Sequence, residues 1–285
     1  MILERLRRPH RIKRIYRRLT GLLRTDDSPY LKILVQLRRR QKWDPDERKN
    51  SFHFPWARFD YVNIWHLTAQ FEEIFVRKCY AFEPETLDPV IVDCGGNIGL
   101  SATWFKLNYP TCHLTVYEAD PDLAKILETN LKRAGFRDVQ THRKVVWTEN
   151  SLISFCKTGD DKGHIAAEGT ATYPAVDLAE ELPCRVDLLK LDVEGAEFAI
   201  LKRLCVTGAI QRVRRLICEF HVWRDRTDDL LQALSDLRKS GMDLTITGDA
   251  VPWIGLAEES APFDVINKNH ALIMAYAWRP SEHKS

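Results

Sequence analysis

The chain has 285 residues, 45% hydrophobic and 29% charged, which is enough for one large α/β domain with an appendage or for two small domains. Its net charge of +2 hides an asymmetry: residues 1–50 carry 16 Lys and Arg against 6 Asp and Glu, and the remainder carries 26 against 34. No apolar run approaches the roughly 18 residues of a membrane span, and the basic start lacks the apolar core of a secretion signal. The seven scattered cysteines (79, 94, 112, 156, 184, 205 and 218) form no Cys-x-x-Cys pair, so a disulfide framework and a zinc cluster are excluded and a reducing cytoplasm is expected.

Residues 10–24 repeat Ile12, Ile15, Tyr16, Leu19, Leu22 and Leu23 at helical spacing, with arginines and Lys13 between them. This predicts a basic amphipathic helix started at Pro9 and stopped by Thr25-Asp26-Asp27-Ser28-Pro29. Several roles stand open for it: a solvated basic face over a docked helix, peripheral contact of residues 1–25 with an anionic membrane at its inner face, binding of a partner or, less favoured, contact with nucleic acid. A second helix is predicted from Tyr30 to Gln41. Residues 44–60, rich in Asp, Pro and aromatics, read as a linker packed on the body, and Trp65 to Lys78 as a third helix. The expected division is a basic helical extension and linker over 1–60 and one catalytic domain over 61–285.

From Val90 onward, strands and helices alternate. Strand 90–93 leads to a helix from Ile98 to Asn108, and strand 114–118 to Asp120-Pro121, an N-cap with a first-position proline, and a helix ending at Gly135. Val139 to Arg143 reads as a third strand, and 144–158 as a β-hairpin around Glu149-Asn150-Ser151. Strand 186–191 ends at Asp192 and is followed by a helix to Leu204. Leu216-Ile217-Cys218 forms a strand ending at Glu219, Thr227 to Lys239 a helix, and Leu244–Thr247 and Ala271–Ala277 two late strands. Such alternation calls for a doubly wound, mainly parallel sheet with helices on both faces, an α/β fold.

In such a sheet the ligand lies beyond the carboxyl ends of the strands. Asp93, Gly95, Asn97, Gly99 and Glu118 should converge there: the glycines permit a tight turn, Glu118 can accept two ribose hydroxyls, and Asp93 can meet an ammonium group. The spacing Asp-x-Gly-x-x-x-Gly lacks the three-glycine register of dinucleotide sites, and the turn has no Lys or Arg to cradle phosphate. The acidic lining suits a cationic sulfonium, so the reading is S-adenosylmethionine and methyl transfer. A structural glycine turn and a nicotinamide-dependent oxidoreductase are the competing readings.

Asp192 should sit beside the methyl donor, with Glu194 and Glu197 opening the next helix, where the dipole favours carboxylates. One strand over, alternation puts Glu219 and His221 on one face. His221 is the natural general base because its unperturbed pKa lies near neutrality. Asp192 could orient the acceptor or act as base. Asp192, Glu194, Glu219 and His221 could together hold Mg²⁺.

Asp93-x-Gly-x-Asn-x-Gly99, the run Leu-Lys-Leu-Asp-Val-Glu-Gly-Ala-Glu ending at Glu197, Glu219-x-His221 and the preceding Ala175-Val176-Asp177-Leu178 together resemble the FkbM family of S-adenosylmethionine-dependent methyltransferases. The resemblance covers residues 65–225. It departs at Cys94-Gly95-Gly96, where the family commonly shows Val-Gly-Ala. It implies a class I methyltransferase Rossmann-like fold with a seven-stranded sheet, and O-methylation of a hydroxyl on a saccharide, glycolipid or related natural product, with catalysis by His221, Asp192 and Glu194. A non-catalytic member that binds a nucleoside or a partner is the alternative. The acidic body and the lack of a base-stacking motif make nucleic acid an unexpected partner.

Overall fold

Two strands, β3 (Val90–Cys94) and β10 (Leu188–Leu191), lie side by side in register, Leu189 opposite Val92 and Lys190 opposite Asp93. Every residue of β10 is buried, which is why both strands read as near-continuous apolar runs rather than alternating ones. In this computed structural model residues 28–43, 50–157, 163–165, 171–248 and 271–280 are described. The basic helix read over 10–24, the membrane-contact segment 1–25 and residues 44–49 lie outside them.

From β3 the sheet grows in both directions. On one side stand β4 (His113–Tyr117) and β5 (Gln140–His142); on the other, beyond β10, stand β11 (Arg215–Val222), β13 (Ala271–Trp278) and β12 (Asp243–Gly248), giving the order β12-β13-β11-β10-β3-β4-β5. Of these seven strands only β13 runs against its neighbours. The doubly wound, mainly parallel sheet expected from the alternation is therefore present. The winding reverses between β3 and β10, so the crevice for a ligand lies above the carboxyl ends of those two strands.

The helices bury one stripe each. Helix α4 (Pro121–Arg133) turns Leu123, Leu127 and Leu131 inward and is capped by Asp120, whose side chain accepts from the backbone N–H groups of Asp122 and Leu123. Helices α6 (Glu197–Val206) and α7 (Thr227–Lys239) cover the opposite face, α7 through Leu230, Ala233 and Leu237. Full burial of such a leucine contributes roughly 1.5–3 kcal/mol. Helix α3 (Leu100–Asn108) shares the α4 side with helix α1 (Pro29–Trp43), which inserts Ile33, Leu34 and Leu37 into the same core.

Residues 50–60 are more ordered than a linker. Strands β1 (Ser51–His53) and β2 (Arg58–Asp60) form an antiparallel hairpin. It is pinned to the body by Asn130, fully buried on α4, whose amide donates to the carbonyls of Asp60 and Ile98 and accepts from the Asp60 N–H. The helix expected over 65–78 divides into α2 (Ile64–Phe71) and a π-helical turn, Glu72–Val76. Phe71 and Phe75 stack on each other, and on Phe54 and Trp56 of the hairpin loop. A π-turn widens the helix by one residue and is frequent at functional sites; Glu73, within it, lines the crevice.

The hairpin expected over 144–158 does not form. β6 (Val145–Trp147) pairs in parallel with β9 (Ala171–Asp177), and β7 (Ser151–Lys157) pairs antiparallel with β9, so β9 lies between the two supposed partners. With β8 (Gly163–Ile165) they make a separate four-stranded sheet. Local alternation marks a strand but does not choose its partner, and β9 supplies a non-local one.

Candidate active site

Past Cys94 the chain turns sharply, and the N–H groups of Gly95 and Gly96 both donate to the Tyr117 carbonyl at the end of β4. Gly95 has φ +88°, and a Cβ placed on it would lie 1.8 Å from the Asp192 carbonyl oxygen, so glycine alone fits. Asn97, at φ +48°, follows in the left-handed region that asparagine tolerates better than most residues. Its N–H and that of Asp120 each donate to one oxygen of Glu118. Burial pushes the Glu118 carboxyl up to about 7 against the pull of those two donors. Each oxygen keeps a further lone pair, so Glu118 can still accept hydroxyl groups from a ligand. That arrangement fits the ribose of a nucleoside.

Asp93 is placed differently from the expectation. It is fully buried, receives the Ser101 hydroxyl at 2.6 Å, and sits 3.1 Å from the Lys190 ammonium. It does not line the crevice, and neither does Gly99; both shape the turn from below. Lys190 is the residue that sequence reasoning missed. Its Nζ also donates to the Gly95 carbonyl at 2.9 Å and lies 3.4 Å from Asp192. Burial alone would lower the lysine pKa, but the attraction of Asp93 and Asp192 outweighs it and the ammonium is held. A lysine inside the buried run Leu-Leu-Lys-Leu was the available signal, since such a residue is rarely buried unless paired.

Beyond β10 the segment 192–197 folds back over the sheet. Asp192 donates its N–H to Cys94 and lines the crevice; burial raises its carboxyl pKa. Glu194 has φ +53°, a costly conformation for a residue with a side chain. What holds it is Glu197, fully buried, whose oxygens accept the N–H groups of Val193 and Gly195. Glu197 is thus more than a charge on a helix dipole. Trp223 lies over Gly195, where a Cβ would meet its ring at 2.9 Å.

His221 stands between two carboxylates: Nδ1 is 3.1 Å from Glu197 Oε1 and Nε2 is 3.1 Å from Glu194 Oε2. Desolvation works against the charged ring, but the two hydrogen bonds outweigh it and push the pKa up to about 11. The ring is therefore an imidazolium at neutral pH, not the neutral base that an unperturbed histidine would offer. Glu219 shares its face of β11, as alternation predicts, and burial followed by the charges of Asp192 and Glu73 raises its carboxyl well above the ordinary range.

One donor atom each from Asp192, Glu219 and His221 lie within 4.8 Å of one another, so a cation fits by distance. It does not fit by chemistry. Both imidazole nitrogens already face carboxylate oxygens at 3.1 Å, and Lys190 supplies a positive charge beside Asp192. No step here is assigned to Mg²⁺.

A single cavity of about 200 Å³ joins these parts, lined at one end by Asn97, Glu118 and Asp120 and at the other by Asp192, Glu194, Glu219 and His221. Among the described residues no helix is long and apolar enough to cross a membrane.

The family model described as "Methyltransferase FkbM domain" matches residues 93–240. The chain is similar to "Methyltransferase 1" of Beauveria bassiana, 29% identical over 162 residues, covering 47% of this chain and 65% of that protein. It is also similar to "Methyltransferase sdnD" of Sordaria araneosa, 29% identical over 187 residues, covering 51% of this chain and 72% of that one. Among solved structures, the methyltransferase FkbM from Methylobacillus flagellatus KT superposes with a TM-score of 0.44 at 13% identity, over 86% of this chain and 58% of that one.

Proposed function

The chain belongs to the FkbM methyltransferase family, and we propose that it moves a methyl group from S-adenosylmethionine to a hydroxyl of a saccharide, glycolipid or related natural product. The observation that carries this reading is the single cavity running from Glu118 to the Glu194–His221 pair. S-adenosylmethionine supplies a methyl group already activated by its sulfonium charge. Glu118 and the Gly95–Asn97 turn bind its nucleoside half, and the acidic stretch at Asp192 faces the cationic half.

Holding an acceptor oxygen in line with the methyl carbon supplies much of the rate, at a contact of about 3–3.5 Å. As the new O–C bond forms, the methyl–sulfur bond breaks, S-adenosylhomocysteine is the leaving group, and the hydroxyl proton has to be taken up. Glu194 accepts it: its carboxylate lines the cavity and is partly exposed, and the His221 imidazolium holds it in place. Glu197 orients the ring from below. The oxygen becomes strongly acidic as it gains the methyl group, so a carboxylate is base enough. Gln70, Glu73 and Glu219 face the same space and offer hydrogen-bonding groups to an acceptor rich in hydroxyls.

The test is transfer of label from S-adenosylmethionine into a fractionated cell extract. Label in a saccharide or glycolipid fraction supports the acceptor class, and label in protein or RNA overturns it. The proposal extends to residues 1–25 as a contact with anionic membrane; failure of the full chain to sediment with anionic vesicles removes that part.

A further inference from the structure

A second cavity, of about 190 Å³, adjoins the first and shares Glu73, Glu219 and Leu272 with it. Its floor is the outer part of the sheet, and the strand register places that floor relative to the chemistry. Leu272 of β13 lies directly opposite His221, and Met274 lies opposite both Glu219 of β11 and Thr247 of β12. Paired residues of neighbouring strands point to the same face, as do alternate residues of one strand. Leu272, Met274 and Tyr276 therefore form an apolar row beside the row that carries Glu219 and His221. Steps along each row measure about 7 Å.

A molecule whose hydroxyl reaches Glu194 and His221 thus has an apolar surface next to it, on the side away from Glu118. The first cavity is polar at the same place. Glu73, Arg77, Cys79, Glu219 and Thr247 line the rest of the second cavity, so only its sheet wall is apolar; a flat ring can lie on that wall, where methionine adapts its shape to the ligand. Resting on the O-methylation reading, we infer that the second cavity seats the non-reacting, apolar part of the acceptor. The substrate class is then a hydroxylated molecule that carries an apolar ring or chain beside the methylated hydroxyl, such as a glycoside with an apolar aglycone, and not a bare sugar.

The experiment uses the full chain saturated with S-adenosylhomocysteine, titrated by ligand-observed NMR with phenyl β-D-glucopyranoside and with methyl β-D-glucopyranoside. The two probes differ only in the aglycone. The phenyl compound is expected to bind at least about tenfold more tightly. Met274→Trp, and independently Thr247→Trp on an exposed position of β12, should fill the cavity and weaken the phenyl compound by about tenfold, with S-adenosylhomocysteine affinity held within about twofold. Equal affinity for the two glycosides, binding of neither, or undiminished phenyl binding in both variants overturns the inference. Failure of the unmodified chain to bind S-adenosylhomocysteine would instead overturn the methyl-transfer reading on which it rests.

Discussion

Glu197 and His221 meet at 3.1 Å, oxygen to Nδ1, from two separate elements, the start of α6 and the end of β11. The same carboxylate accepts the backbone N–H groups of Val193 and Gly195, so one buried side chain fixes both the loop that carries Glu194 and the ring that faces it. Glu197→Gln preserves size but presents an NH₂ group to this set of donors. It should lower turnover by about 10²–10³-fold and destabilise the fold by roughly 2–4 kcal/mol. Label transfer and urea denaturation read the two effects. Undiminished turnover would remove Glu197 from the proton-handling unit.

The charge on His221 determines the pH profile. If Glu194 takes the proton beside an imidazolium, turnover stays level from neutrality upward and falls as the ring deprotonates at about 11. A neutral-imidazole base would make turnover rise over that range. Stability carries the same signature. The folded pKa lies above the ordinary 6.5, so the contribution of the ion pairs is complete below that value and is lost as pH rises through about 11. The difference in Tm between the unmodified chain and His221→Gln should therefore narrow with rising pH. A difference that widens would contradict the assignment.

Removal of divalent metal offers a separate check on the same geometry. With both nitrogens of His221 donating to carboxylates and Lys190 beside Asp192, the positive charge in the crevice is built from side chains. Exhaustive dialysis against a chelator should leave turnover unchanged, and addition of Mg²⁺ should not raise it. Loss on chelation with recovery on Mg²⁺ would mean that the acidic cluster rearranges around an ion.

Glu118 should make donor binding sensitive to mild acid. Hydroxyl donors favour its ionised form, and burial sets its pKa at about 7. Affinity for S-adenosylhomocysteine should then weaken as pH falls through that value, by about tenfold between pH 8 and pH 6. Calorimetric titration would show it. Glu118→Gln should bind weakly at both pH values with a flat profile; a steep profile in that variant would assign the titration to another group.

Much of this site is legible in the chain because strand ends announce themselves. Val90–Cys94 and Leu188–Leu191 are apolar runs followed by glycine and acidic residues, and the doubly wound topology brings their ends together. Glu219 and His221 share a face by simple alternation. The remainder depends on pairing across long distances. Nothing local to Val145–Trp147 reveals that its partner is Ala171–Asp177. Asp93 looks like a ligand contact until Lys190, 97 positions away along the chain, is seen to lie against it. The state of His221 likewise depends on two glutamates of another element, which turn a group with a near-neutral pKa into a fixed cation.

Gly95 ties the turn at Gly95–Asn97 to the loop that begins at Asp192. A Cβ there would lie 1.8 Å from the Asp192 carbonyl oxygen, a backbone atom held by the Asp192 N–H donating to Cys94. Gly95→Ala must therefore separate the two loops, and Lys190, which donates to the Gly95 carbonyl and neighbours Asp192, loses its place between them. Gly135 is the control. It has a similar φ of +85°, but its Cβ would meet nothing within 4 Å, so alanine there incurs only the left-handed penalty of roughly 1–2 kcal/mol. Gly95→Ala should exceed that by several kcal/mol, or else fold with S-adenosylhomocysteine binding and turnover both lost. Denaturant midpoints of the two variants, measured side by side, separate steric interlock from backbone conformation. Equal midpoints with binding intact would show that the two loops are not locked together at this position.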